Sequence, residues 1–391
     1  MPEQEKKVDS SKKEDGKDIN AKIDDNVKKS ERVKFKNLSK EQKNRIYLMV
    51  GGFSITFTVV LVIFCSMIYF DNVNTNKKWF GYLSDPTDRK AEVIELSKHA
   101  QKVTVGTYVE NIRTVDMKNS ECRIEMLIWF DWEGDPELDP ASYFRVYKGV
   151  ENKKHIVEEM HDGRINYQLV SLDVTISKNY HTMLFPLDSH QIRIYVESIH
   201  PIQEVVFRAD KDNSGMNEHL EITGFEFSRI AVGEVTYRYN STHGNPRLTD
   251  NEITSEIVTQ IEIQRSTMGL FFKCFIALYA TIVWILISLY ICTYHHVNPL
   301  GMVSGALFGA VGNIVIGANL LPDGTSGGLL EFGNIWGVLM VLGGTISIIS
   351  INRVRDLQDK KYAKYYGRFC FYIILGFTLL GLILLPAFAL M

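Results

Sequence analysis

The chain has 391 residues, more than one small domain needs. It carries 43 Lys/Arg against 46 Asp/Glu, a net charge of −3, and 46% of it is apolar. These averages mix a charged start, a polar middle and a C-terminal quarter that is almost wholly apolar, which excludes a simple soluble enzyme. An extended basic face for nucleic acid and a disulfide-stapled mini-domain do not fit either.

Residues 1–45 hold 14 Lys/Arg and 10 Asp/Glu, a single aromatic, Phe35, and no apolar periodicity. Such a segment cannot bury enough surface to offset its ordering entropy, so a disordered cytoplasmic tail is expected. Its basic end, from Lys34 through Lys36, Lys40 and Lys43 to Arg45, is the part suited to anionic lipid. Ile46–Phe70 then runs 25 residues without a charge, enough to cross a bilayer as a helix. It is longer than the apolar core of a cleaved signal and ends in Ile-Tyr-Phe rather than small residues, so it reads as an uncleaved signal anchor.

Residues 71–267 carry 22 Lys/Arg against 32 Asp/Glu and show a period of two. Cys122, Ile124, Met126, Ile128 and Phe130 alternate with mostly polar neighbours. So do Ile192, Ile194 and Val196, and Ile257, Thr259, Ile261 and Ile263. Further strands are expected over Lys102–Val109, Tyr143–Lys148, Tyr167–Ser177 and Val205–Arg208, and a helix near Asp88–Gln101. Turn clusters at Asp210-Lys-Asp-Asn-Ser-Gly and Thr242-His-Gly-Asn-Pro punctuate the later runs. Many short strands predict a β-sandwich, placed outside the cell by the spans on either side. Cys122 is its lone cysteine, so no disulfide staples it and a buried apolar role is expected. Asp131-Trp-Glu-Gly-Asp-Pro-Glu-Leu-Asp139 sets five carboxylates at alternate positions, attractive to calcium but without the spacing of an EF-hand loop. A solvated acidic loop is the simpler reading. Asn240-Ser-Thr is a glycosylation acceptor where the cell has that machinery. No metal-ligand spacing, nucleophile elbow, P-loop or dinucleotide fingerprint occurs, so no catalytic residue, cofactor or metal is expected.

Four further spans are expected at 268–294, 299–321, 332–351 and 369–391, giving a membrane α+β protein with a C-terminal block of four transmembrane helices. The loop Asn352–Arg368 holds six basic residues against Asp356 and Asp359. Five spans put this loop and the basic N-terminal flank on the cytoplasmic side, leaving residues 71–267 extracytoplasmic, as in a plasma-membrane protein. Asn298-Pro299 reads as a helix start. Gly301, Gly305, Gly309, Asn313 and Gly317 then recur every four residues, laying small or polar groups along one helix face for close packing.

Two stretches carry a resemblance. Leu184-Phe-Pro-Leu-Asp-Ser-His-Gln-Ile-Arg-Ile-Tyr195 is a turn set by Pro186 and Asp188 that leads into an alternating strand. Ile263-Gln-Arg-Ser-Thr enters the second span, and Leu321-Pro-Asp-Gly-Thr-Ser-Gly-Gly-Leu-Leu-Glu-Phe-Gly-Asn-Ile-Trp336 closes the third. With the overall layout, these resemble the DUF4436 family of membrane proteins over roughly residues 95–350. That resemblance implies an architecture and a membrane-proximal turn at Pro186 and Asp188, but no activity. A weaker resemblance is to pentameric ligand-gated ion channels. The N-terminal anchor, the glycine-rich 299–321 segment and the lack of a charged ring at its cytoplasmic end depart from those channels. The resulting expectation is a non-enzymatic receptor or accessory subunit. Its outer domain would bind a protein, glycan or lipid partner, and its helices would meet lipid and a membrane-protein partner or a second copy. A channel subunit is the alternative.

Overall fold

The computed structural model describes residues 35–242, 252–321 and 327–391. Most of the expected tail, the His-Gly-Asn-Pro of the turn after Thr242 and the middle of the Leu321–Trp336 stretch lie outside them. The last part of the expected tail is structured. A 3-10 turn covers Phe35–Asn37 and helix α1 runs Lys40–Gly81, so the start of the first helix is corrected from Ile46 to Lys40. The cause is a reciprocal cap. The Gln42 N–H donates to Ser39 Oγ at 3.2 Å while the Ser39 N–H donates to Gln42 Oε1 at 3.1 Å. The helix also continues past Phe70 through polar residues to Gly81.

A short helix, α2, spans Thr87–Leu96, overlapping the helix expected near Asp88–Gln101 but ending before it, since Gln101 already starts the first strand. Helices α3 (Gly269–Tyr294), α4 (Leu300–Ala318), α5 (Leu329–Leu357) and α6 (Lys360–Ala389) follow the strands. With α1, these make five helices, among the described residues, long and apolar enough to cross a membrane. The basic segment expected as a loop over Asn352–Arg368 is helical except for Gln358 and Asp359. Its Arg and Lys residues are good helix formers, and their long side chains reach water from a helix end, so no open loop is required.

The chain divides into two compact units. One comprises Met1–Val59, Ile282–Ala306 and Leu339–Thr378. Within it Arg355 satisfies carbonyls at and beyond the end of α3, donating to Cys292 O at 2.5 Å and His296 O at 3.0 Å. Asn298 caps α4 as expected, its Oδ1 accepting from the Leu300 N–H at 3.3 Å. Tyr362 donates to Gln42 O at 3.0 Å, and a Cβ on Gly343 would lie 2.9 Å from the Phe57 ring.

The other unit comprises Val60–Thr281, Leu307–Val338 and Leu379–Met391. Among its described residues are ten strands: β1 Gln101–Asp116, β2 Glu121–Glu133, β3 Phe144–Val146, β4 Gly149–Asp162, β5 Ile165–Ser177, β6 Ser189–Pro201, β7 Val205–Ala209, β8 Gly215–Met216, β9 Phe225–Arg238 and β10 Ile253–Arg265. One sheet runs β4-β5-β2-β1-β7, with β8 also beside β1; the other runs β3-β6-β10-β9. The period of two is the cause. Cys122, Ile124, Met126, Ile128 and Phe130 of β2 are fully buried, as are Ile192, Ile194 and Val196 of β6. The two sheets touch at Thr107 and Thr259, whose hydroxyls are 2.6 Å apart, and at the Phe207 N–H, which donates to Ser255 Oγ at 2.9 Å. Val93 and Leu96 of α2 pack on Ile202, Val206 and Ile253. All five cysteines are buried thiols, Cys122 among them.

The small-residue stripe packs along part of its length. A Cβ on Gly309 would lie 2.2 Å from the Thr281 hydroxyl of α3, and one on Gly317 3.0 Å from Leu330 of α5. Between them Asn313 is buried and donates to Asn334 Oδ1 at 2.6 Å. Gly333 and Gly337 of α5 continue the seam against Phe275 and Leu278. Gly305 makes only an ordinary contact, 3.6 Å from the Trp284 indole, and Gly301 faces open space, which corrects the expectation that it packs. Gly309→Leu and Gly337→Leu should therefore each cost about 1–3 kcal/mol by overpacking, whereas Gly301→Leu should stay within about 0.5 kcal/mol of the parent. Thermal melts of the three variants in detergent check this ordering.

Candidate functional site

The turn before β6 does more than reverse the chain. The Phe185 N–H donates to Thr182 O at 3.0 Å and the Leu187 N–H to Leu184 O at 2.8 Å. The Phe185-Pro186 peptide is cis. This close fold delivers Asp188 to the interior, where it is 2% exposed. Two partners from different strands converge on it. His190 of β6 hydrogen-bonds one carboxylate oxygen through Nε2, and Arg265 at the end of β10 donates Nε to the other at 3.0 Å. The Arg265 backbone N–H adds a bond to Asp188 O at 3.3 Å. The guanidinium lies over the Phe225 ring at 4.0 Å, and the His190 ring sits edge-on to Tyr180, centroids 5.1 Å apart.

The charges follow from these contacts. Burial acts to raise the Asp188 carboxyl, but the bond to His190 and the Arg265 guanidinium outweigh it and hold the group below the usual carboxylate range. Burial lowers His190 despite Asp188 beside it. A neutral imidazole with its proton on Nε2 fits, since Nδ1 has no hydrogen-bond partner among the described residues. Unfolded, His190 titrates near its ordinary 6.5, and folded it titrates lower. Below about pH 6.5 the unfolded chain therefore binds more protons, so stability is full above that value and falls as the pH falls. The melting temperature should drop between about pH 7 and pH 5, and His190→Gln should flatten that drop. Equal slopes in both proteins would assign the acid lability elsewhere.

The same turn reaches three helices of this unit. The Leu329 N–H at the start of α5 donates to Met183 O at 2.7 Å. His181 Nε2 lies 3.1 Å from Asp71 of α1. Arg265 ends the strand that enters α3 at Gly269. The start of α5 carries its own cap, the Gly328 N–H donating to Glu331 Oε2 at 2.9 Å. The expected turn residues Pro186 and Asp188 thus lie where sheet ends and helix ends meet.

Other candidate residues lie elsewhere. Asn240 is exposed just beyond β9. The Asp131–Asp139 carboxylates disperse: Asp131 is on β2, Asp135 accepts the Glu137 N–H at 2.9 Å, and Asp139 accepts from Gln168 at 2.8 Å. Among the described residues no group of three His, Cys, Asp or Glu side chains is placed to hold a metal ion. His190 and Arg265 were visible only as members of the two resembling stretches, and nothing local marks them as partners. Compared with known proteins, the chain matches no protein-family model and shows no significant similarity to a curated protein.

Proposed function

We propose that this chain is a non-enzymatic membrane receptor or accessory subunit. In this reading residues 71–267 form an extracytoplasmic β-sandwich that binds a protein, glycan or lipid partner and passes that event to the membrane helices. The observation that carries it is the Asp188 turn, tied at once to Arg265 and to the first N–H of α5. A rigid turn bonded to both a sheet end and a helix end moves the helix when the sheet moves. The basic residues between Arg353 and Arg368 support a cytoplasmic position for that end of the block, and the layout keeps the resemblance to the DUF4436 family as part of the proposal. Affinity capture of the intact chain from its native membrane tests the reading. Protease shaving of the outer face should release the captured partner. Retention of the partner after shaving, or labelling of the segment around His190 from the side that holds Lys360, would sink it.

A second reading has its own observation. Ser304, Phe308, Val311, Val315 and Asn319 of the α4 region are exposed and fall within about 80° of one another at 100° per residue. Five copies of this face around an axis would line the pathway of a pentameric channel, narrowed at Phe308. A pentameric mass in detergent together with single-channel conductance in bilayers supports that reading; a non-conducting monomer eliminates it.

A further inference from the structure

We propose that the cavity beneath the Tyr82–Pro86 connector binds a small aromatic carboxylate, its anionic group held by Lys178, Arg193 and the side-chain amide of Gln191. The cavity has a volume of about 520 Å³, the size of a small-molecule site. Its roof is fixed. The Thr236 N–H and hydroxyl donate to Asp85 at 3.1 and 2.7 Å, Ser84 bridges to Glu234, and the Leu83 carbonyl rests on Gly233, where any Cβ would meet it at 2.1 Å. The connector follows α1 directly, so the cavity lies where that helix meets the sheets. Tyr147 and Tyr195 stand edge to face in its wall, centroids 6.4 Å apart, which suits an aromatic body.

A charge inventory selects the ligand. The lining carries Arg89, Lys148, Lys178 and Arg193 against Asp85 and Glu256. Both acids are accounted for. Asp85 accepts from Thr236 and lies 3.8 Å from Arg89. Burial, then Glu197 and Asp85, push Glu256 up to about 8 against Arg145, so it is largely uncharged at neutral pH. The other three bases have no such balance. Lys148 lies over the Tyr147 ring at 5.4 Å and Lys178 over the Tyr180 ring at 5.0 Å. Arg193 donates to two neutral amides, Gln260 at 2.8 Å and Gln191 at 2.5 Å, and stacks on Tyr82 at 3.6 Å. Among the described residues no carboxylate pairs with any of the three. Gln191 adds a donor beside them. Its Oε1 is turned to Arg193, which fixes the amide and leaves Nε2 buried without a hydrogen-bond partner among the described residues. Half-buried cations and a buried N–H left unpaired both cost free energy. A carboxylate supplies the missing charge and acceptor together. An amine is repelled, and a neutral ligand brings no counter-charge.

Protons report the pairing. Burial, then repulsion from Arg193, push the Lys178 ammonium down to about 8, with Cys122 acting the other way. Facing Lys178 are Arg193 and His190 on β6, Cys122 on β2 and Tyr180. Facing Glu256 are Glu197 on β6, Arg145 on β3 and Asp85 on the connector, with Tyr195, Tyr237 and Tyr239 held neutral by raised values. A bound anion favours the charged form of Lys178 and the neutral form of Glu256. Its uptake near pH 8 therefore takes up protons, and its affinity falls as the pH rises past about 8. Binding of such an anion goes beyond the receptor reading and is measured on the purified chain, apart from partner capture, so each fails alone.

The test is isothermal titration of the full chain in non-ionic detergent with sodium benzoate and with uncharged benzamide. Benzoate should bind at least about tenfold more tightly than benzamide at pH 7 and weaken about five-fold between pH 7 and pH 9. Lys178→Met should weaken benzoate about tenfold and leave benzamide unchanged. Lys98→Met, exposed and outside the cavity, should alter neither, which separates the site from the general charge of the chain. If Lys178→Met does not fold, the benzoate-to-benzamide ratio and the pH dependence of the parent protein decide. No binding of benzoate, equal binding of benzamide, no weakening above about pH 8, or unchanged affinity in a folded Lys178→Met each overturns the proposal.

Discussion

Asp188→Ala is expected to lower folding stability by about 3–5 kcal/mol. The carboxylate is 2% exposed and the Arg265 side chain it pairs with is only 14% exposed, so water cannot replace what alanine removes. Two bonds disappear at once, those from His190 and from Arg265 Nε, while the Arg265 backbone N–H keeps its acceptor, the carbonyl of residue 188. The larger part of the cost is the guanidinium left buried beside Phe225 without a counter-charge, rather than the net worth of the pair. Asp188→Asn keeps the volume and one acceptor and should lose less, while His190 gains nothing from either change. Arg265→Leu in the Asp188→Ala background should restore part of the loss, because it removes the orphaned charge. That double-mutant cycle separates pairing from packing. Thermal and denaturant melts of the full chain in detergent read all four proteins. If Asp188→Ala melts within about 1 kcal/mol of the parent, the junction is no stability element and its proposed transmitting role goes with it.

The sequence disclosed elements wherever one face is wet and the other dry. β2 and β6 alternate cleanly because each packs one face inward, and their buried residues are those the period of two selects. β4 escaped notice for the opposite reason: it is an edge strand exposed at nearly every position, so nothing in its composition alternates. β9, the other sheet's edge, is mostly half-buried and equally featureless. Charge set the wrong limit at two helix ends. Lys40–Arg45 and Asn352–Arg368 read as tail and loop, but a cap and long side chains allow helix over all of the first and all but Gln358 and Asp359 of the second. The turn at Pro186 and Asp188 was legible as a turn. Its partners were not, because Arg265 lies 77 positions further on and no local rule joins them.

Gly328→Val should separate the turn from the helix it meets. A Cβ there would lie 2.4 Å from the Met183 carbonyl oxygen and within 2.8 Å of that residue's Cα and carbonyl carbon. These are backbone atoms and cannot rotate aside, so the turn or the start of α5 must move. Either movement breaks the 2.7 Å bond from the Leu329 N–H, one of the first-turn donors that no helix satisfies from within. Overpacking costs about 1–3 kcal/mol and the lost bond about 1 kcal/mol more. The sharper signature is local. Amides of the first turn of α5 should exchange about ten- to a hundred-fold faster, while those of β2 keep their protection. Gly327→Val is the matched control, since its Cβ would meet only the Phe332 ring at 3.7 Å, an ordinary contact. In a receptor coupled through this seam, Gly328→Val keeps partner capture by the outer domain but loses the exchange response of α5 to that capture. If the two valine variants behave alike in stability and exchange, the seam at Met183 carries nothing between sheet and helix, and coupling must run through Arg265 and α3 instead.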